Sequence, residues 1–288
     1  VTSAYLSSPV PVALAHRGGW LLDDQGVRRT ELENTAAAFQ YAVDLGYTYL
    51  ETDVHATSDG VLMAFHDPTL DRATDMSGAI GDLPHREVAR ARVAGREPVP
   101  VLEDLLGTWP EARFNIDVKA DAAVLPLREA LRRTNAWDRV CVGSFDQRRL
   151  DRTRRLLGRP VATSCGPLDV VRLRAASLSP LLRSLASRVP VCAQIPLRHG
   201  AIPLLSRDVI ATAHRLGMQV HVWTINEPGT MERLLDAGVD GIVTDNTNAL
   251  RELLVRRGQW PGGTPSGSTD APTGTSSDSP TDSPQRNG

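Results

Sequence analysis

The chain has 288 residues, of which 41% are hydrophobic, and a formal net charge of −2. That length suits one β/α barrel of about 250 residues or two ordinary domains, and a charge so near zero supplies no basic field for nucleic acid. The three cysteines, Cys141, Cys165 and Cys192, form no CxxC pair, which argues against a disulfide framework or a structural zinc and predicts buried strand thiols.

Residues 12–15 form the first short apolar run, followed by a helical pattern at 35–45. Runs at 49–54 and 61–65 read as one strand with a hairpin extension. Further strands are predicted at 114–118, 140–145, 161–165, 191–195, 219–225 and 241–244. Helical periods at 122–133, 146–157, 206–216, 227–237 and 248–256 separate them. Eight strand-then-helix units predict an α/β fold, a (β/α)8 TIM barrel over residues 10–258. A doubly wound open sheet is the competing architecture. Residues 68–100 break the rhythm with glycines and prolines and read as a small insertion after the second strand, lying over one end of the barrel. Residues 259–288 are Ser, Thr, Pro and Gly-rich, a composition that predicts a disordered tail. No apolar run reaches the roughly 18–20 residues of a membrane span, so no stable membrane insertion is expected. Residues 1–11 lack the basic and apolar regions of a secretory signal, and a cytoplasmic location is expected.

The acids and histidines gather where these strands end. His16 and Arg17 follow the first strand, and Glu51 and Asp53 share one face of the second by period two. Two acids on the inner face of an apolar strand are costly without positive charge between them. A hard divalent cation, Mg²⁺ or Ca²⁺ with Mn²⁺ as a variant, satisfies that need through oxygen ligands. Asp117 and Lys119 repeat the i, i+2 spacing on the next strand, and Lys119 is the only lysine among 32 basic residues. His66 and Asp67 follow the hairpin extension. In a TIM barrel the C-terminal strand ends carry the active site. Two histidines, three carboxylates, an arginine and a lysine at that mouth suit phosphate ester cleavage. Cationic groups neutralise phosphoryl oxygens, one histidine accepts a proton, and the other donates one.

The motifs His16-Arg17-Gly18, Glu33-Asn34-Thr35, Glu51-Thr52-Asp53 and His66-Asp67-Pro68-Thr69-Leu70-Asp71-Arg72 resemble the signature of glycerophosphodiester phosphodiesterases. Val222-Trp223-Thr224-Ile225-Asn226 and Asp240-Gly241-Ile242-Val243-Thr244-Asp245 continue the resemblance, which runs in order over residues 12–254. It implies metal-dependent hydrolysis of a small phosphodiester such as glycerophosphocholine to glycerol 3-phosphate and an alcohol. It implies His16 and His66 as the acid–base pair, and Glu51, Asp53 and Asp117 as metal ligands. Arg17 and Lys119 would contact the phosphate, and Trp223 would wall the alcohol side. The alternative is a lysophospholipase D or sphingomyelinase-D-like enzyme on the same barrel; no protein partner is inferred. Three features depart from the family pattern: Asp117 in place of a common Glu, Leu32 in place of proline before Glu33, and a long loop at 18–32. Among weaker candidates, Asn34 is a possible orienting group for Arg17 or for a loop, and Gln194 a pocket or internal hydrogen-bonding group. His55 and His221 read as structural, and His85, His199 and His214 as peripheral.

Overall fold

A computed structural model describes residues 3–7 and 11–261. The expected tail lies outside the described residues from position 262 on. The strands are β1 (Val12–His16), β2 (Tyr49–Ala56), β3 (Arg113–Val118), β4 (Val140–Gly143), β5 (Ala162–Thr163), β6 (Cys192–Pro196), β7 (Gln219–Trp223) and β8 (Gly241–Thr244). They pair in parallel in the order β5–β4–β3–β2–β1–β8–β7–β6. A parallel bridge from Ser164 to Cys192 closes the ring, supported by Val191 N–H donating to Thr163 O at 2.9 Å. The observed architecture is thus the expected (β/α)8 barrel.

Each strand is followed by a helix: α1 (Ala36–Asp44), α2 (Leu102–Thr108), α3 (Val124–Arg133), α4 (Gln147–Leu156), α5 (Pro167–Leu178), α6 (Arg207–Arg215), α7 (Pro228–Asp236) and α8 (Thr247–Arg256). Capping side chains start several of them. Thr35 accepts from Ala38 N–H, Asp146 from Arg149 N–H and Ser206 from Val209 N–H, each satisfying an otherwise orphaned helix donor.

Strand alternation sorts two cores. Ala13, Leu50, Val54, Phe114, Ile116, Val118, Val220 and Val222 face outward to the helices. Val12, Leu14, Tyr49, Cys141, Cys192 and Val243 face inward. Tyr5 and Leu6, in a short N-terminal 3-10 turn, join this inner cluster, with Tyr5 edge-on to Tyr49 at 5.2 Å. All three cysteines are buried thiols, as expected. Continuing the inward phase by twos carries β1 to His16, β2 to Glu51 and Asp53, β3 to Asp117 and Lys119, β7 to Trp223, and β8 to Asp245.

A hairpin strand, Leu62–Ala64, pairs antiparallel with the end of β2, placing Ala64 opposite Val54. The segment after it holds the short helix His85–Val88 and the ribbon Arg92–Val93 with Glu97–Pro98. This insertion has its own core of Met63, Phe65, Leu70, Ile80, Val88 and Val93. The 18–32 loop folds into a second small ribbon, Leu21–Leu22 with Arg28–Arg29. No helix among the described residues is long and apolar enough to cross a membrane.

Candidate active site

The β2–β3 register sets Glu51 opposite Asn115 and Asp53 opposite Asp117. Both acids of β2 and Asp117 are therefore buried at one end of the barrel. Lys119 Nζ lies 2.8 Å from Asp53 Oδ1 and 2.6 Å from Asp117 Oδ2. Arg17 Nε approaches Asp53 Oδ2 at 3.0 Å, a close ion pair in which that N–H is not aligned for a hydrogen bond. Arg17 also donates its backbone N–H to Glu51 Oε2 at 3.1 Å and its guanidinium to Glu33 Oε2 at 3.0 Å. Arg17 sits at φ +53°, a left-handed conformation uncommon for a side-chain-bearing residue. Asn34, at φ +57°, holds this turn by donating its backbone N–H to Arg17 O at 2.8 Å. Its side chain accepts from Thr52 Oγ1 at 2.8 Å and reaches Asp53 at 3.4 Å. Asn34 thus holds the Arg17 turn, while Glu33 and Asp53 hold its guanidinium.

Two histidine–carboxylate pairs flank this cluster. His16 Nδ1 lies 2.6 Å from Asp245 Oδ1, and His66 Nδ1 lies 2.6 Å from Asp67 Oδ1. A proton on each Nδ1 is donated to the carboxylate, which leaves each Nε2 available for proton transfer. Asp245 is itself held by Asn226 Nδ2 at 2.8 Å. Asp67 is gripped by Arg72, which also pairs with Glu33. His16 Nε2 lies 3.9 Å from Glu51. The contacts form one continuous chain, from Asp245 through His16, Glu51, Arg17, Glu33 and Arg72 to Asp67 and His66. Trp223 joins through an aromatic contact: it packs edge-on against Phe145 at 5.4 Å, and Lys119 Nζ lies 5.1 Å over that ring.

Charge and burial compete at each acid. Burial, reinforced by Asp53, pushes the Glu51 carboxyl up to about 7 despite His16 and Arg17. Burial also raises Asp117, and Lys119 only partly opposes it. Burial acts the same way on Asp53, but Lys119 and Arg17 outweigh it and hold that carboxyl below the usual range. For His16, burial favours the neutral ring, yet Glu51 and Asp245 together raise its affinity for a proton. The Arg72 hydrogen bond holds Asp67 down at about 2.

The donor set suits a hard cation. Glu51, Asp53 and Asp117 offer only oxygens, and Asp117 Oδ1 and Asn115 Oδ1 are buried without an aligned hydrogen-bond partner. Among the described residues, however, no three acidic, histidine or cysteine side chains are gathered into a ready-made metal cage. The Lys119 ammonium stands between Asp53 and Asp117 instead. These acids could close on a cation once that ammonium turns to another anion.

Among weaker candidates, His55 Nε2 bonds to His66 O at 3.1 Å and supports that loop. His221 is fully buried between Gln219 and Gln194, at 2.9 and 3.4 Å, so Gln194 is an internal partner of that ring. His199 is exposed, and His214 pairs with Asp240 on the periphery. Four residues gained a position here that motif reading left without a role: Glu33, Asp67, Arg72 and Asp245. All four lie within the motifs quoted above, and Asp245 has a further signal, the inward phase of β8 carried one step beyond the strand.

The described fold agrees with known proteins. Residues 16–249 match the model of the glycerophosphoryl diester phosphodiesterase family. A probable glycerophosphodiester phosphodiesterase 2 of Mycobacterium tuberculosis is 39% identical over 264 residues, covering 88% of this chain and 98% of that protein. A crystal structure of a glycerophosphoryl diester phosphodiesterase from Silicibacter pomeroyi superposes with TM-score 0.70 at 22% identity, covering 89% of this chain and 97% of that one. An Oleispira antarctica phosphodiesterase, solved in complex with the product sn-glycerol-3-phosphate, superposes with TM-score 0.68 at 20% identity, covering 85% and 97%. The family match and the Mycobacterium relative span nearly the whole barrel, and the chain therefore belongs to the glycerophosphoryl diester phosphodiesterase family, as an enzyme that hydrolyses phosphoric diesters.

Proposed function

We propose that this enzyme releases glycerol 3-phosphate and an alcohol from glycerophosphodiesters such as glycerophosphocholine, with His16 and His66 as its proton-transfer pair. The observation that carries the reading is the matched pair of 2.6 Å histidine–carboxylate contacts on either side of the Arg17–Lys119 cluster. The product bound to the Oleispira protein supports the same product here.

Arg17 and Lys119 neutralise the phosphate, each leaving part of its carboxylate contact to do so. Asp245 and Asp67 fix the ring orientation of His16 and His66, and Asp245 stabilises the His16 ring when it carries the extra proton. One histidine takes the proton of the attacking hydroxyl through Nε2 as its oxygen bonds to phosphorus; the other delivers a proton to the alcohol oxygen as its bond to phosphorus breaks, and one water is consumed for each diester cleaved. Glu51, Asp53 and Asp117 would hold a divalent cation, Mg²⁺, Ca²⁺ or Mn²⁺, which when bound supplies positive charge to the phosphoryl oxygens. Trp223 and Phe145 would wall the alcohol side. Phe145 is 63% exposed, and such an apolar ring also favours a second substrate, a lysophospholipid whose acyl chain lies against it.

The test is turnover of glycerophosphocholine, glycerophosphoethanolamine and lysophosphatidylcholine after chelation and after return of each cation. Activity should vanish with chelator and return with at least one cation. Alanine at His16 or His66 should each cost about 10²–10⁴-fold in kcat. Unchanged turnover in either alanine variant would remove that histidine from the mechanism, and full activity in chelator would remove the cation.

A further inference from the structure

The flank of the barrel formed by α5 and the 3-10 segment after it differs from the rest of the helix ring. Seven of the twelve large apolar side chains exposed among the described residues lie within positions 168–189. On α5, Asp169, Leu173 and Ala176 turn inward at helical spacing. Leu168, Val171 and Leu178 form a second apolar stripe on the solvent side, with Leu178 70% exposed. Leu181, 88% exposed, and Leu185 and Val189 extend that stripe. A helix apolar on two faces normally has something against both, and an exposed apolar patch of this kind marks an interaction surface.

The charge of the same segment identifies its occupant. Residues 170–206 contain five arginines and no Asp or Glu, in a chain whose formal net charge is −2. Elsewhere on the ring several arginines face acids, although others such as Arg155 and Arg256 do not: Arg132 pairs with Glu129, Arg133 with Glu103, Arg149 with Asp121 and Arg154 with Asp169. Arg172, Arg174, Arg188 and Arg198 take part in none of the ion pairs found among the described residues. Arg188 and Arg215 line an open groove of about 460 Å³ together with Ser184, Ala186, Thr212 and Leu216. Guanidinium and hydroxyl donors at the edge of an apolar patch match the layering of a bilayer surface, with phosphates outermost and acyl chains beneath.

We propose that residues 168–189 dock this enzyme on an anionic lipid bilayer, inserting Leu178, Leu181 and Leu185 at the headgroup boundary. A lipid phosphate is received by Arg188 and Arg215. The attachment is peripheral, consistent with the lack of any membrane-crossing helix among the described residues. It does not depend on which diester is cleaved, because binding is read without turnover.

Cosedimentation of the full chain with vesicles tests this directly. Vesicles of phosphatidylcholine alone are compared with vesicles containing abundant phosphatidylglycerol. The chain should pellet with the anionic vesicles and be released by high salt. Replacing both Leu181 and Leu185 by Ser should weaken partitioning by about tenfold or more. Replacing Arg188 by Gln should weaken it by about fivefold. Both variants should retain wild-type turnover of soluble glycerophosphocholine, which reports that the barrel is intact. Absence of pelleting by the wild-type chain overturns the proposal, as does unaltered pelleting of the Leu181/Leu185 variant. Self-association that the Leu181/Leu185 variant abolishes, without vesicle binding, would assign the face to a second copy and equally overturn it.

Discussion

Asp245 and Asp67 show how carboxylates of one site perform different work. Glu51, Asp53 and Asp117 are buried acids beside Arg17 and Lys119, which outweigh burial at Asp53 but not at Glu51 or Asp117. Asp245 and Asp67 are instead bound to a histidine and to a further donor, Asn226 or Arg72. Burial opposes ionisation of Asp245, but the His16 hydrogen bond wins and holds its carboxyl below the ordinary range. Replacing Asp245 by Asn keeps the shape and removes the charge. Such an amide no longer favours the protonated ring, so the His16 pKa should fall, as read by NMR titration of its ring protons in the chelated protein. The kcat should drop by about 10²-fold or more while the melting temperature changes little, since the site loses orientation and not packing. An unmoved His16 titration in that variant would mean Asp245 does not govern the ring.

At the scale of elements, the insertion and the barrel meet through Arg72. Its guanidinium joins Asp67, beside His66, to Glu33, which also receives Arg17. The Arg72 side chain is 54% exposed, so its ion pairs contribute at most about 1 kcal/mol to folding. Its effect should lie in orientation: Arg72→Ala should lower kcat/KM by about tenfold with a nearly unchanged thermal transition, a split that kinetics and melting together resolve. Arg72 illustrates what the sequence concealed, because its partner Glu33 lies in a loop 39 residues away, a proximity that no local period encodes. Barrel strands such as β2 and β3 were legible because apolar alternation and the i, i+2 acids coincide. Helices α2 and α5 were not: α2 spans only Leu102–Thr108, under two turns, and the apolar residues of α5 fall on both faces, erasing the one-sided stripe that marks an amphipathic helix. The insertion's separate core was equally hidden, since Leu70, Ile80, Val88 and Val93 come from turns and short pieces with no common spacing.

For the whole molecule, the mouth of the barrel is a region where folding and catalysis oppose one another. Burying three carboxylates is unfavourable, and Arg17 and Lys119 offset only part of that cost. The pH dependence of the chelated protein should expose the remainder. Glu51, at about 7 in the folded chain against 4.5 ordinarily, binds a proton in the native state where the unfolded chain has lost it. Asp117 is raised in the same sense. The raised His16 adds stability at pH values below its unfolded pKa, and that contribution disappears as pH climbs through the folded value. All three effects have one sign: stability should decline as pH rises from about 5 to about 8, with Glu51 alone accounting for on the order of 3 kcal/mol. The depressed Asp53 and Asp245 act only at more acidic pH, where their contribution is lost as pH falls through their folded values. Glu51→Gln, which keeps the shape without the charge, should flatten the decline in chelator. A divalent cation should flatten it in the wild-type chain by favouring the ionised carboxylates, with proton release on binding. Thermal melts across that pH range, with chelator and with Mg²⁺ or Ca²⁺, measure both effects. A wild-type profile already flat in chelator would show that Arg17 and Lys119 fully compensate the buried acids, leaving no electrostatic demand for a cation.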